Sequence, residues 1–350
     1  MRLTSSRAII LLGFILQSIF GFGQVTDFPS YIEKEFNFST GEFQLAGRLL
    51  LPDTLARYPV ILNIWGSGPT RMEDVIKKSE ILSKFAEKGY AILLYDKPGS
   101  GASLGTLSEK ELLSDRVTIA RAALEKLRNT PFIDPERIGL YGSSQASYVM
   151  GLLLENPEDL SFVICWSCPM ENSIEQTAYQ IKQYLLCAEK DEKLAEKAAQ
   201  CYRNSLLAND YDTYMANAKF LNQIPEIRDE LGWGDILPET VWRPISQGSE
   251  ELLDPASFFG KVGIPILAIY GTLDKNINPH QAVRFLKGLQ NENLQTVWIP
   301  NADHNMRIGG SGCVQEQING YREVASARRS REFEKILTQW LDLLQSWNGN

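Results

Sequence analysis

The feature that most limits what this chain can fold into is a series of short, nearly continuous apolar runs, each closed by small residues and followed by helical spacing. Val60-Ile61-Leu62-Asn63-Ile64-Trp65 ends in Gly66-Ser67-Gly68-Pro69. Residues 91–95 end in Asp96-Lys97-Pro98-Gly99-Ser100-Gly101, and residues 138–141 lead into Gly142-Ser143-Ser144-Gln145-Ala146. Runs at 162–166, 266–270 and 296–299 complete the series. Strands without polar alternation are buried on both faces. Between them lie helical stripes, such as Ile76, Ile81, Leu82, Phe85 and Ala86, then segments near 108–128, 146–154 and 280–289. A last amphipathic helix carries Phe333, Ile336, Leu337, Trp340, Leu344 and Trp347. This alternation predicts βαβ units, hence an α/β fold with a mostly parallel, doubly wound sheet. Ahead of it, period-2 segments at 35–39 and 42–51 joined at Thr40-Gly41 predict an antiparallel hairpin. From 169 to 259 the strands stop, and segments rich in Glu, Lys, Gln and Tyr read as an inserted helical cap between core parts 24–168 and 260–350.

The first 23 residues read as an export signal. Arg2 and Arg7 precede an apolar run at 8–16, and Gly21 and Gly23 suit cleavage near Gly23. The run is too short to span a bilayer comfortably. An uncleaved anchor is the alternative. The expected protein is exported, periplasmic or secreted, with no membrane association once the signal is removed. Lys and Arg number 35 against 43 Asp and Glu, for a net charge of -8, which becomes -10 when the two leader arginines and no acids are lost. Such a charge offers no field that favours a nucleic-acid backbone or an anionic membrane, and no nucleic-acid partner is expected. Of the five cysteines, Cys165 and Cys168 have redox or zinc spacing but close a buried run, where cysteine behaves as a small apolar side chain. Cys187 and Cys201 fall on consecutive helical segments, a placement that allows a bridge between them. An odd count leaves at least one thiol free.

Ligands of a doubly wound sheet bind beyond the carboxyl ends of its strands. Ser144 stands there, between a buried run and a helix, flanked by small residues that permit a strained turn. A serine hydroxyl needs an imidazole base, and the imidazole needs a carboxylate to fix its tautomer. The chain has only two histidines. His304 lies just past the last strand and is the expected base; His280, at a helix start after Asn278-Pro279, reads as a solvated or capping side chain. Asp274, after the strand at 266–270, is the expected orienting acid, ahead of Asp303, which adjoins His304 too closely to reach its ring in a useful orientation. Two backbone N–H donors are needed for an oxyanion. Gln145 supplies one; Ser67, with Gly68 close behind, supplies the other. Neither glycine pair, at 66/68 or 99/101, continues into a dinucleotide fingerprint, there is no phosphate-binding loop, and two histidines 24 residues apart form no metal motif. No cofactor or metal is expected.

Taken together, these residues resemble the α/β-hydrolase superfamily, and within it the exported bacterial branch related to dienelactone hydrolases, cinnamoyl esterases and serine aminopeptidase-like hydrolases. The resemblance rests on Leu45-Ala46-Gly47-Arg48-Leu49 to Pro52, the loop Gly66-Ser67-Gly68-Pro69, Tyr95-Asp96-Lys97-Pro98-Gly99-Ser100-Gly101, and the Ser144 turn. Pro98 stands where that family commonly has Arg, Ser143 where His is common and Ala146 where Gly is common. The resemblance implies a serine hydrolase with Ser144, His304 and Asp274 in their usual chain order, acting on a small ester or other acyl substrate. An amide-cleaving peptidase or aminopeptidase, its substrate amine held by Glu171, Glu175 or Glu189, and a non-catalytic binding protein remain the alternatives. The cap aromatics Tyr179, Tyr184, Tyr211, Tyr214, Phe220 and Trp233 either wall a pocket or form plain core.

Overall fold

The computed structural model describes residues 31–77, 79–231, 236–245, 249–322, 324 and 326–347. Residues 1–23, the expected export signal, and Trp233 lie outside them.

The apolar runs become strands. The chain opens with β1 (Ile32–Glu35), β2 (Phe38–Thr40), β3 (Phe43–Leu45) and β4 (Gly47–Leu51). The expected hairpin turns at Gly41, with β2 paired to β3 and β1 to β4, both antiparallel. Six of the strands that follow belong to the main sheet: β5 (Tyr58–Ile64), β6 (Ala91–Tyr95), β7 (Ile133–Ser143), β8 (Phe162–Trp166), β9 (Ile266–Gly271) and β10 (Leu294–Ile299). They join β1 and β4 in one eight-stranded sheet of order β1-β4-β6-β5-β7-β8-β9-β10, parallel from β6 to β10. Every residue of β6 and β9 is buried, as expected for strands covered on both faces.

The cover comes from amphipathic helices. The stripe expected near 76–89 is split into α1 (Met72–Ile76) and α2 (Glu80–Glu87). They are followed by α3 (Leu112–Arg128) and α4 (Ala146–Leu153). Segment 108–111 is a turn rather than helix, tied down where Asp115 accepts from the Ser108 N–H at 2.7 Å. The cap follows as α5 (Ser173–Cys187), α6 (Glu192–Leu206) and α7 (Tyr211–Asn222), then α8 (Ala256–Phe259), α9 (Pro279–Gly288), α10 (Val314–Ile318) and α11 (Arg331–Trp347). Helices α3, α4, α8 and α9 pack in succession, whereas α11 packs on α2 and docks through Trp340 against Phe162 and through the Tyr90 hydroxyl.

The cap helices start where their sequence says they should. Asn172, Asp191 and Asp210 each accept a hydrogen bond from the backbone three residues on, and each such cap stabilises its helix by about 1 kcal/mol. Ile174, Ala178, Ile181, Leu185, Ala198 and Ile227 form an apolar cluster of their own. Two of the cap aromatics, Tyr184 and Tyr214, are buried core, while Tyr179, Tyr211 and Phe220 are half-buried. Tyr184 is buried and donates to Glu230, Tyr214 stacks on Trp242, and Phe220 lies under the Lys197 ammonium.

The bridge allowed between Cys187 and Cys201 is not made. Cys187 closes α5, but Cys201 lies nine residues into α6, about 14 Å along the helix axis from its start. Cys187 instead bonds Cys313, 126 residues away, with Cα atoms 6.0 Å apart, which fastens the end of α5 to the segment before α10. Cys165 and Cys168 are free and buried, as expected of residues closing a core strand, and Cys201 is free. Removing a bridge that closes so long a loop costs about 2–4 kcal/mol. We therefore expect Cys187→Ala/Cys313→Ala to unfold at lower urea concentration than wild type; an unchanged midpoint would show that the tether adds no stability.

Candidate active site

The site begins with a steric requirement at the end of β7. Strand β7 must turn at once into α4, and it does so with Ser144 in the left-handed region at φ 56°, a conformation that costs a non-glycine residue about 1–3 kcal/mol. The turn closes only because its neighbours are small. A Cβ on Gly142 would lie 2.6 Å from the Ala146 Cβ and 2.8 Å from the Ile64 carbonyl oxygen. The Ser144 N–H bonds the Ser167 carbonyl at 3.1 Å, and Ser167 in turn bonds Ile269, so the ends of β7, β8 and β9 are fixed to one another. Helix α4 has no side-chain cap, and Gln145 stands at its N-terminus. Among the described residues the Gln145 N–H has no acceptor, and the helix macrodipole adds positive potential there.

Beyond β9, Asp274 is buried and accepts three hydrogen bonds. Its Oδ1 takes the N–H groups of Asn276 at 2.8 Å and Ile277 at 3.0 Å, while its Oδ2 lies 2.9 Å from His304 Nδ1. With the carboxylate held from behind, the Nδ1 proton faces Asp274 and Nε2 is left as the basic nitrogen. Asp274 and His304 are thus brought together. Ser144 lies at the same sheet edge, on the second strand over from β9, and its hydroxyl forms no hydrogen bond with His304; such contacts often tighten only with substrate. Asp303 is occupied elsewhere, accepting from the N–H groups of Asn305 and Arg307 and from the Tyr321 hydroxyl at 2.6 Å. His280 is exposed near the start of α9, its ring 5.0 Å from that of Trp298.

The loop after β5 packs against the Ser144 turn. A Cβ on Gly66 would lie 3.1 Å from the Ser143 carbonyl oxygen and 3.4 Å from the Ser144 Cβ, so glycine permits the approach. The Ser67 N–H has no protein acceptor among the described residues. The loop's carbonyls are taken by two buried cations that the sequence reading missed. Lys97 Nζ donates to the carbonyls of Gly66 at 2.5 Å and Gly68 at 2.6 Å. Arg116 donates to the Trp65 carbonyl and, at 2.7 Å, to Gln145 Oε1. Burial pulls the Arg116 guanidinium down to about 10 and the Lys97 ammonium well below its usual range, the Arg116 charge adding to the latter. Arg116 had a signal in the sequence, since it interrupts the apolar stripe Leu113, Ala120, Ala123 and Leu127 of α3. Nothing in the sequence marks Lys97.

Helix α5 lies over the Asp274 loop, with Gln176 and Gln180 bonded to Asn276 and the Tyr179 hydroxyl 3.4 Å from the Asp274 carbonyl oxygen. Beside it is a cavity of about 180 Å³ lined by residues including Glu171, Glu175, Tyr179, Lys182, Glu196 and Arg203. Glu175 pairs with Arg203 at 2.8 Å and Glu196 with Lys182 at 2.5 Å. Glu171 is buried, and among the described residues its Oε2 has no hydrogen-bond partner. Glu189 is exposed. Among the described residues, no three or more His, Cys, Asp and Glu gather as a metal-binding group, and no helix is long and apolar enough to cross a membrane.

An eight-stranded sheet of this order, with a serine on the β7–α4 turn and a carboxylate–imidazole pair beyond β9 and β10, defines the α/β-hydrolase class. Residues 41–306 match the family model described as X-Pro dipeptidyl-peptidase (S15 family), and the chain belongs to that family. A search of curated proteins returns no match. Among solved structures, the esterase Pf2001 of Pyrococcus furiosus superposes with a TM-score of 0.55 at 15% identity, covering 97% of this chain and 99% of that one. A candidate dipeptidyl aminopeptidase IV from Bacteroides ovatus gives 0.54 at 14% identity, over 91% of this chain but only 36% of that longer one. DcsB, solved with a substrate analogue, gives 0.51 at 13% identity over 89% of this chain and 98% of that one.

Burial raises the Glu171 carboxyl from its ordinary 4.5 to about 7. The folded state therefore holds this proton more tightly than the unfolded chain does. The stability so gained is complete below about pH 4.5 and lost as the pH climbs to 7. Glu171→Gln, which keeps the neutral shape, should match wild type near pH 4.5 and exceed it at pH 8 by about 3 kcal/mol in urea unfolding. Parallel pH profiles for the two proteins would contradict this assignment.

Proposed function

We propose that this chain is an exported serine hydrolase that cleaves carboxylic esters through an acyl-enzyme on Ser144. The observation that carries the reading is the 2.9 Å contact between Asp274 Oδ2 and His304 Nδ1, with the Ser144 turn at the same sheet edge. In the reaction Ser144 Oγ attacks the ester carbonyl carbon and passes its proton to His304 Nε2. Asp274 keeps the ring oriented and stabilises the imidazolium. The carbonyl oxygen, now anionic, takes hydrogen bonds from the N–H groups of Ser67 and Gln145. Collapse of the tetrahedral species breaks the bond to the alcohol oxygen, which leaves with the proton from His304. Water, deprotonated by His304, then attacks the acyl carbon and releases the acid and free Ser144. Export is supported by the apolar leader at 8–16 and by the Cys187–Cys313 bond, a linkage at home in oxidising compartments.

A second reading, aminopeptidase activity, is favoured by one observation, the unpartnered Oε2 of buried Glu171 in the cap cavity, a place for a substrate ammonium. Esters come first because the other two carboxylates there, Glu175 and Glu196, are already neutralised by Arg203 and Lys182.

Matched p-nitrophenyl esters and p-nitroanilides carrying the same acyl group test the proposal. The ester should give the higher kcat/KM, and Ser144→Ala or His304→Ala should each lower kcat by about 10⁴-fold or more with the fold intact. Faster turnover of an anilide with a free amino terminus would move the aminopeptidase reading to the front. Ester turnover unchanged in Ser144→Ala would sink both.

A further inference from the structure

We infer that Lys97 is a positioning residue for the oxyanion site, holding the peptide between Gly66 and Ser67 so that the Ser67 N–H is presented toward the Ser144 turn. The inference rests on the reading of Ser144 as nucleophile.

The geometry starts from the planar peptide. In a trans peptide group the C=O and N–H point in opposite directions, and no cis bond occurs among the described residues. Lys97 Nζ binds the Gly66 carbonyl oxygen at 2.5 Å, so the N–H of the same peptide unit, that of Ser67, points away from Lys97. Arg116 takes the Trp65 carbonyl and in the same way directs the Gly66 N–H. The second Lys97 bond, to Gly68 at 2.6 Å, fixes the peptide unit ahead of Pro69, which carries no N–H. Lys97 thus orients one donor of the loop, and that donor belongs to Ser67 rather than Gly68. Without this hold a glycine-flanked loop has many alternatives open to it.

The lysine is itself held in place. Its backbone N–H bonds the Thr70 carbonyl at 3.3 Å, and the carboxylate of neighbouring Asp96 accepts from Met72 at 2.7 Å and Ala102 at 2.8 Å. The turn after β6 therefore clamps both ends of the loop after β5. Among the described residues Lys97 is buried without an ion-pair partner, so its two loop carbonyls are its side-chain ligands. A primary amine keeps two N–H donors with or without its extra proton, and both bonds survive in either state.

Two substitutions and two readouts test this. Lys97→Met keeps the length of the side chain and deletes both hydrogen bonds; Lys97→Leu, which also carries no donor, serves if the Met variant does not fold. The folded variant should react with a fluorophosphonate, and turn over an ester, about 10- to 100-fold more slowly than wild type, the loss lying in kcat with KM nearly unchanged. A folded variant that is phosphonylated at the wild-type rate, or whose defect lies in KM alone, overturns the proposal and leaves Lys97 a purely structural residue. Wild-type protein that stays unmodified by the reagent overturns instead the Ser144 reading beneath it. Because phosphonylation needs no ester turnover, these two failures are told apart.

Discussion

The turn from β7 into α4 is the constraint on which the rest of the site depends. Ser144 adopts a left-handed backbone that its own chemistry disfavours, and only the packing of Gly142 between Ile64 and Ala146 lets the chain pass. The cost is offset by the sheet around it. Strands β5 and β8 flank β7 in register, with Ile64 opposite Gly142 and Trp166 opposite Ser143, so the turn is anchored on both sides. A site built at the rigid end of a buried sheet keeps its geometry far better than one carried on free loops. The strained serine, the open start of α4 and the close approach of Gly66 all follow from that one turn.

Around it, charge is handled by burial rather than by exposed pairs. Asp274 is fixed by two backbone N–H groups before it meets His304, so the imidazole finds its partner already oriented. On the other side, Lys97 and Arg116 sit behind the loop after β5 and satisfy its carbonyls. Isolated buried cations are costly unless hydrogen-bonded. Here the bonds that offset the cost also set the direction of the loop's peptides. The cap closes over the arrangement through α5, whose glutamines grip the Asp274 loop and whose last residue is fastened to Cys313.

How much of this the sequence reveals depends on how local the determining physics is. The core strands are legible because a strand covered on both faces must be apolar throughout; β6 and β8 fall on the expected residues. Ser144 is legible because small residues must flank such a turn, and His304 because only one of two histidines stands at a strand end. The family match and the superposed structures agree with the expected fold class. The disulfide is not legible, since partners 126 residues apart are chosen by the path of the whole chain. Lys97 is hidden for a different reason. Its partners are backbone carbonyls, which every residue has, and no residue pattern encodes their direction. The cap aromatics are ambiguous in sequence because core and pocket wall use the same side chains; Tyr184 and Tyr214 prove to be core, while Tyr179 lines the cavity.

The central claim is that Ser144, His304 and the N–H groups of Ser67 and Gln145 converge on one acyl centre, and a crystal structure of the protein carrying a bound phosphonate tests it most directly. Phosphorus should be bonded to Ser144 Oγ, with its phosphoryl oxygen about 2.7–3.1 Å from both N–H groups and His304 Nε2 facing the ester oxygen. An adduct on another residue, or a phosphoryl oxygen turned away from the loop after β5, would contradict it.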